Sequence, residues 1–515
     1  MLLDGHLTLQ DPPGCFIARL PAEILIEIFD LLHNEVEHSV RLTKTSSANL
    51  ANVASVSRQF YRLAMPLLWK GIEIEHSYFG RCFQPSPLIK YPGTQSEHAL
   101  RYIKKMYLCI YLADDDMSKK IIDKVRIYIS KCFRVLVAAK SIQYLKLNVR
   151  LYDPDAYDSE FSRPLAAINN VVFCLLRHVE NMNLRKLEFI QYKNSARIDD
   201  ILSLIGPKVN ALIFSAVPLD SWVDQLAHHE QMSTIKIYNT LSSLDYQDDN
   251  SMFSRFWISV SQTRNVTDVD VQGMPLDASL NLHFPHITRL RLIIDSWSFL
   301  GGEWASSFLA VFQQFPNLET LRLISQGNTE FYKEIRALNI SEIVCKNLRH
   351  VAIRSNTPKG IVGTIAKHNA NLRSCCIESS AADIEEEDIR HLSRCRDLCS
   401  VELLCPFKLR SGLANLTNLS QLESLSLHPT AGKDITTQFL LDISVACPYL
   451  DTIDVSDIDR EFKSSALKTQ QLDELFAVGV ELHEYIQPTY MPVRCQDLEL
   501  DGYEILLDRI RDLPY

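Results

Sequence analysis

The sequence predicts an α/β protein in which a small helical segment precedes a long array of alternating strands and helices. Three observations carry this prediction. Aliphatic residues near the amino end recur at the one-, three- and four-residue steps of a helix face. Beyond residue 100, a short pattern of alternating aliphatic and variable residues recurs, as strands with one buried face require. Segments with helical spacing separate the copies of that pattern.

The spacing of apolar residues within 17–75 predicts amphipathic helices. Pro21 suits the first turn of a helix, where its missing N–H has no intrahelical partner to lose. One broad apolar face follows, made by Ile24, Leu25, Ile28, Phe29 and Leu32. A second helix is predicted from about Asn49, because two serines before it offer caps and apolar residues follow at helical spacing. Pro66 is expected to stop or bend that helix.

This segment resembles an F-box, the three-helix module that docks cullin-type ubiquitin ligase subunits on their adaptor. The resemblance implies an adaptor-binding set made of Leu20, Pro21, Glu23, Ile24, Leu25, Ile28, Phe29, Val53, Val56, Leu68 and Trp69. Phe60 also matches the family pattern. Two features depart from it: Ser57 stands where cysteine is common, and the run from His33 to Asn52 is roughly ten residues longer than usual, an insertion that surface loops absorb cheaply. Helical periodicity alone leaves open a simple helical cap on a larger domain.

Composition limits the class of protein. The 515 residues are 46% hydrophobic, so the chain can bury one large core or several ordinary ones. The 53 basic and 63 acidic residues give a net charge of -10, which disfavours a general nucleic-acid or membrane-surface binder. Thirteen cysteines show no framework spacing, and no apolar run approaches the roughly 20 residues of a membrane span. We therefore expect reduced thiols and a cytoplasmic or nuclear protein.

The recurring pattern after residue 100 is aliphatic, two variable residues, aliphatic, one variable residue, aliphatic. We number the first aliphatic as position 0. Clear copies begin at Leu184, Val209, Val266, Ile287, Leu318, Leu348, Leu422 and Leu450, and weaker ones at Ile103, Ile142, Met232, Leu372 and Leu398. The starts from Leu184 to Leu450 lie 21 to 34 residues apart. A strand and a helix at such a period are typical of a leucine-rich-repeat solenoid, a curved parallel sheet with helices on its convex side.

Two features qualify that resemblance. The asparagine or cysteine that usually follows the third aliphatic is mostly missing, and only Asn356 clearly occupies the position, so the repeats resemble the irregular kind attached to F-boxes. A doubly wound parallel sheet also alternates strands and helices. Its strands would be apolar on both faces, whereas these alternate with polar residues, which favours the solenoid.

Positions 2, 4 and 6 of each copy are expected to face outward on the concave side, where a partner would bind. Three neighbouring strands there carry a predicted substrate-binding set of Arg289, Arg291, Arg322, His350 and Arg354. Arginine side chains bind carboxylates and phosphates in bidentate fashion, so an acidic or phosphorylated target segment is one interpretation. The other is an ion-pair network in which Asp268 and Asp270 neutralise Arg289 and Arg291. Arg322 and Arg354 are the stronger candidates, because we expect no acidic residue at their positions on the strands immediately beside them.

Catalytic and metal motifs are scarce. The sequence has no glycine-rich phosphate loop, no HExxH and no GxSxG elbow, so we expect neither an enzyme nor a cofactor. His391, Cys395, Cys399 and Cys405 have a spacing that could bind zinc, but cysteine is also a frequent core residue, and we predict no metal site. An α/β enzyme with an unrecognised site remains a rival interpretation.

The predicted organisation is an amino-terminal tail (1–16), the F-box (17–75), a linker (76–100), the repeats (101–460), and a carboxy-terminal cap and tail (461–515). A helix is predicted after Ser464 and Ser465, and the acidic run Asp497, Glu499, Asp501 is a hypothetical competitor for the arginine patch. The resemblance implies a non-catalytic substrate receptor. Its F-box would bind the S-phase-kinase-associated adaptor and, through it, a cullin and a RING subunit, while the repeats hold a target protein. A scaffold that does not direct degradation is the alternative.

Overall fold

The computed structural model describes residues 20–34, 58–68, 71–74, 77–79, 82–84, 100–110, 119–149, 151, 159–192, 198–215, 222–238, 250–274, 276, 280–295, 310–326, 345–354, 360–378, 384–404, 412–427, 437–455 and 481–484. The chain divides into two compact units. The first contains Met1–Glu188 and Thr489–Tyr515, and the second contains Phe189–Pro488.

The first unit begins with two helices, α1 (Ala22–Asn34) and α2 (Arg58–Leu68). The Leu25 N–H donates to the Pro21 carbonyl at 3.1 Å, which closes the first turn of α1. The helices share a small core of Leu25, Phe29, Phe60 and Ala64. Pro66 does not end α2, since a proline in the last turn removes a single helical hydrogen bond and the helix continues to Leu68. The predicted helix start near Asn49 lies outside the described residues.

The first unit continues with strands and two long helices. Its strands are β1 (Gly71–Ile74), β2 (Ser77–Phe79), β3 (Cys82–Gln84), β4 (Lys105–Ile110) and β5 (Tyr144–Val149). β1, β4 and β5 pair in parallel, in that order, while β2 and β3 form an antiparallel pair inside the range predicted as linker. The helices are α3 (Lys119–Ala138) and α4 (Ser159–Asn181). The next strand, β6 (Lys186–Tyr192), contains the division between the units.

The second unit is an array of parallel strands that pair in chain order. Its described strands are β7 (Ala211–Ser215), β8 (Thr234–Tyr238), β9 (Asp268–Gln272), β10 (Arg289–Asp295), β11 (Thr320–Gln326), β12 (His350–Arg354), β13 (Ser374–Glu378), β14 (Ser400–Leu404), β15 (Ser424–Leu427), β16 (Thr452–Val455) and β17 (Glu481–Glu484). The described α-helices are α5 (Ile198–Ile205), α6 (Trp222–Gln225), α7 (Asn250–Gln262), α8 (Ile361–His368), α9 (Glu386–Leu392) and α10 (Thr437–Ala446). β17 adds a strand beyond residue 460, where the sequence analysis ended the repeats.

The sequence pattern locates the strands. Every copy, including the weaker ones, has a strand that begins at its position 2. In β11, for example, the inward residues Leu321 and Leu323 are buried, as the in-out alternation requires. The predicted α/β class and the array of strand and helix repeats are confirmed.

Main-chain hydrogen bonds join neighbouring repeats in a constant way. The carbonyl at position 1 of one repeat accepts the N–H groups of positions 1 and 2 of the next repeat. The Glu319 carbonyl, for example, accepts from Arg349 at 2.7 Å and from His350 at 3.0 Å. The same pair of bonds recurs from Asn210 to Asp451. The register of each strand is therefore set by backbone atoms, and the predicted ladder residue Asn356 lies outside the described residues.

A turn precedes the strand in most of the repeats. There the N–H at position 0 donates to the carbonyl three residues earlier, as Leu372 does to Asn369 and Leu398 to Cys395. Side chains at this earlier position also reach the preceding repeat: the Cys345 thiol donates to the Phe315 carbonyl at 3.0 Å, and the Asn369 side chain accepts the Leu348 N–H at 2.8 Å. Side chains three residues before position 0 thus help to join neighbouring repeats, a role that the sequence analysis did not assign to them.

Aromatic side chains fill the middle of the second unit. The rings of Phe284 and Phe315 stack with centroids 4.5 Å apart, and Trp257 meets both edge-on. All three are fully buried, so they anchor three consecutive repeats to one another. None of the described helices is both long enough and apolar enough to cross a membrane.

Candidate functional site

The exposed part of α1 is the first candidate surface. Leu25 and Phe29 point into the core with α2, where Phe29 meets Phe60 edge-on at 5.5 Å. Ile24 and Ile28, one turn apart on a neighbouring flank, are 42% and 36% exposed. Exposed β-branched aliphatics gain little in a soluble helix unless a partner covers them. The helix therefore presents a small apolar surface beside its buried stripe.

The structure divides the predicted adaptor-binding residues into groups. Pro21 and Glu23 are exposed beside Ile24 and Ile28, and Leu20 is partly buried against the α1–α2 core. Leu25 and Phe29 have no surface to offer a partner in this conformation, so the structure gives them a packing role. The predicted contacts of Val53, Val56 and Trp69, and of the Leu68 side chain, lie outside the described residues.

The outward face of the second unit is the second candidate surface. Parallel register places position 4 of successive strands side by side, so that Asp270 lies opposite Arg291 and Arg291 opposite Arg322. Arg289 at position 2 is exposed, while Arg322 and His350 are partly buried. The predicted arginine and histidine residues thus share one face, but their electrostatic surroundings differ.

Asp270 is the centre of a buried network on that face. Its side-chain oxygen Oδ2 accepts a hydrogen bond from the Tyr238 hydroxyl at 2.7 Å and lies 3.3 Å from Arg291 Nη1. Asp270 is only 6% exposed. Burial, and then the charge of Asp270, raise the pKa of Tyr238, so this hydroxyl stays protonated and donates. Arg291 is therefore engaged in the ion-pair network that the sequence analysis considered as the alternative to ligand binding.

Arg354 also has an acidic neighbour. Glu378 on β13 lies directly opposite Arg354, and its Oε2 is 3.5 Å from Arg354 Nε. The expectation that no acidic residue stands beside Arg354 is therefore wrong. The copy at Leu372 matches the pattern only weakly, and Glu378 occupies its position 6, the same position as Arg354 in the preceding copy.

His350 belongs to a cluster of positively charged residues, of which the sequence analysis identified only some. The pKa of His350 is lowered by burial and then by the charges of Arg373, Arg349 and Arg289. Glu319 partly opposes this effect. Arg349 and Arg373 occupy position 1 of their repeats, just before the outward positions that we considered. Extending the periodic comparison by one residue would have identified both.

Of the four candidate zinc ligands, the structure describes His391, Cys395 and Cys399. The Cys395 thiol is buried and lies 3.7 Å from the Ala366 carbonyl, while the Cys399 thiol donates to the Arg373 carbonyl at 3.2 Å. Burial raises the pKa of Cys395 to about 11, so this thiol is protonated at neutral pH when no metal is bound. Cys405 lies outside the described residues. Among the residues that are described, no group of three or more potential ligands could hold a metal ion.

Comparison with known proteins identifies the amino-terminal segment. Residues 17–75 match the F-box-like family, so the chain carries an F-box-like domain. No curated protein matches the chain.

Several solved structures align over long stretches at low identity. A leucine-rich-repeat protein of Leptospira interrogans is 11% identical, with 75% of this chain and 91% of that chain covered and a TM-score of 0.32. The yeast Rad7 and Elc1 complex is 12% identical over 85% and 88%, with a TM-score of 0.35. The mouse RP105/MD-1 complex is 12% identical over 69% and 61%, also at 0.35. At these TM-scores the fold assignment rests on strand order and register instead.

Proposed function

We propose that this protein is the substrate-recognition subunit of a cullin-RING ubiquitin ligase. Its F-box-like domain at residues 17–75 would bind the S-phase-kinase-associated adaptor, and its repeats would bind the target protein. Ubiquitin transfer itself would belong to the partner subunits. Such a receptor acts by proximity, because tethering the target turns a rare encounter into a local one.

The exposed aliphatic pair on α1 is the observation that carries this proposal. Ile24 and Ile28 remain accessible while Leu25 and Phe29 hold the helix against α2. Covering the exposed part of each isoleucine would contribute about 1–2 kcal/mol to binding. Glu23 and Pro21 border this pair and would supply polar and shape complementarity at its rim.

An adaptor pull-down tests the proposal with a control that the same helix provides. The test variant combines Ile24→Asp and Ile28→Asp. The control is Ile26→Asp, because Ile26 is 41% exposed but lies roughly 160–200° around the helix from the pair. We expect the native chain and the control to recover the adaptor and the test variant to lose at least about tenfold in affinity.

Each outcome of the pull-down decides a different point. Equal loss in both variants would mean that an exposed aspartate disrupts α1, and absence of binding by the native chain would refute the ligase assignment. If adaptor binding is found, reconstitution with the cullin and RING subunits distinguishes a degradative receptor from a scaffold. Ubiquitination of a co-purifying protein supports the receptor, and a stable complex without ubiquitination supports the scaffold.

A further inference from the structure

The first three repeats carry an unusual concentration of positive charge at one edge of the sheet. Their copies begin at Ile103, Ile142 and Leu184. Three positions of each repeat surround the amino end of its strand: position 1, position 2 and the residue two before position 0. The three repeats thus have nine such positions, and none of them is acidic. Six are basic: Arg101, Lys104, Lys105, Lys140, Arg185 and Lys186. All six side chains are exposed. We call this set the basic edge.

The same positions are less basic in most other repeats, although the repeat that begins at Leu348 has Lys346 and Arg349 there. In the repeats that begin at Leu398, Leu422 and Leu450, they contain one cation, Arg396, and two acidic residues, Glu423 and Asp451. The repeat geometry therefore does not demand cations at these positions. Their concentration in the first unit is a property of its own sequence.

Main-chain bonds place the members of the basic edge side by side. The Lys104 carbonyl accepts the N–H groups of Gln143 and Tyr144 at 2.8 and 3.0 Å. The Gln143 carbonyl in turn accepts those of Arg185 and Lys186 at 2.8 and 3.1 Å. Positions 1 and 2 of the three repeats are thus adjacent, and Lys105 and Lys186 stand two strands apart, about 10 Å between backbones.

Tyrosine rings support several of these cations. The Lys105 ammonium lies 5.9 Å from the centre of the Tyr144 ring, and the Arg101 guanidinium lies 4.6 Å from that of Tyr102. Deeper on the same face, Lys146 lies 5.4 Å from the Tyr107 ring. Such contacts hold cations in place without neutralising them.

Two structural explanations account for part of the charge. Lys140 follows the end of α3, where a cation complements the helix dipole. Lys186 forms an ion pair with Glu188 at 2.5 Å. Neither explanation applies to Lys104, Lys105 or Arg185, which are exposed, outside any helix and before or at the start of a strand. Concentrating like charges is unfavourable in itself, so a ligand is the simplest compensation.

We propose that the basic edge binds an acidic segment of a protein partner. Carboxylates three residues apart in a peptide with polyproline II conformation lie on one face and span about 9 Å. This span is close to the ~10 Å between the backbones of Lys105 and Lys186. A peptide crossing the strands at their amino ends would thus place every third acidic group over β4 and β6. That the partner is the ubiquitination target rests on the proposed function, whereas the binding of an acidic peptide does not.

A peptide fits this edge better than a nucleic acid does. The tyrosine ring faces that would stack on bases are already occupied by Lys105, Lys146 and Arg101. The chain as a whole carries a net charge of -10, which would repel a long polyanion beyond the edge. A short acidic segment makes use of the local charge without meeting the remainder of the surface.

Fluorescence anisotropy with a labelled decapeptide of glutamate tests the proposal on the full chain. The test variant is Lys104→Glu, Lys105→Glu and Arg185→Glu. The control is Arg264→Glu, Lys346→Glu and Arg396→Glu, which changes the net charge equally at exposed cations two residues before position 0 of three non-adjacent repeats in the second unit. We expect the test variant to bind at least about tenfold more weakly and the control to change less than about threefold. Native binding should weaken as salt rises.

Three results would overturn the proposal. These are failure of the native chain to bind the peptide at low salt, equal losses in both triple variants, and tighter binding of an oligothymidylate of the same length. Circular dichroism and adaptor recovery report whether the test variant is folded. If it is not, Lys104→Gln and Lys105→Gln replace it. Because adaptor binding is measured separately, the proposed function and the basic edge can fail independently.

Discussion

Charged side chains on the repeats have different surroundings in the two units. In the second unit, the buried Asp270 lies opposite the partly buried Arg291 and forms an ion pair with it, and the Tyr238 hydroxyl is a further donor to Asp270. In the first unit, Lys104 and Lys105 occupy comparable outward or edge positions and are exposed. A buried charge must be paired, whereas an exposed one costs the fold almost nothing. Burial, more than residue type, therefore distinguishes charges that stabilise the sheet from charges that can bind a partner.

The largest effect in this comparison is expected from Asp270→Ala. Removing the carboxylate leaves Arg291 partly buried and without that partner, which should lower the free energy of unfolding by about 3–5 kcal/mol. Tyr238→Phe keeps the ion pair and loses one hydrogen bond to a charged group, so about 1.5–3 kcal/mol is expected. Urea unfolding measures both, and hydrogen exchange should locate the change in β8–β10. A smaller loss for Asp270→Ala than for Tyr238→Phe would contradict the network.

A smaller loss of stability is expected when the pH is lowered, and it should appear in the second unit. His229 in the second unit is 4% exposed, and burial lowers its pKa below the ordinary value. As the pH falls through about 6.5, His229 is protonated in the unfolded chain but stays neutral in the folded chain. The free energy of unfolding therefore decreases as the pH drops through that range. Hydrogen exchange at pH 7.5 and pH 5.5 should show weakened protection around β7 and β8. His229→Gln should remove the part of this pH dependence that arises from His229.

The smallest effect is expected from the basic edge itself. Lys104→Ala together with Lys105→Ala removes two exposed cations, and the free energy of unfolding should change by less than about 0.5 kcal/mol for each. Thermal unfolding measures this change. A loss of several kcal/mol would mean that the edge holds the fold and would remove the contrast between the units.

The strands could be predicted from the sequence because their determinants are local. Period-two alternation of buried and outward residues marks each strand start, and it succeeded even at weak copies such as Met232 and Leu398. The backbone ladder between repeats explains this success, since register does not depend on particular side chains. The same numbering also predicts which residues face each other, because equal positions of neighbouring copies pair from β9 to β14.

The features that the sequence analysis missed depend on neighbours. The spacing in α1 placed Ile24, Leu25, Ile28 and Phe29 on one broad face, and only the direction from which α2 packs separates buried from exposed members. The pairing of Arg354 with Glu378 is different, because both are position 6 of neighbouring copies and the sequence contains this match. Cys345 and Cys395 each lie three residues before position 0 of their copies. This periodicity is visible in the sequence, but it lies outside the six-residue pattern that predicted the strands.

The carbonyl ladder between repeats has a consequence for how this protein can change over generations. Each repeat is joined to the next by peptide groups that every amino acid except proline supplies, as at Glu319 with Arg349 and His350. Exposed outward side chains can therefore be exchanged by mutation without weakening these backbone bonds. Whole repeats can also be duplicated or lost, since a new junction needs only the same peptide groups. Selection on partners can thus act on the surface while the scaffold beneath is inherited unchanged.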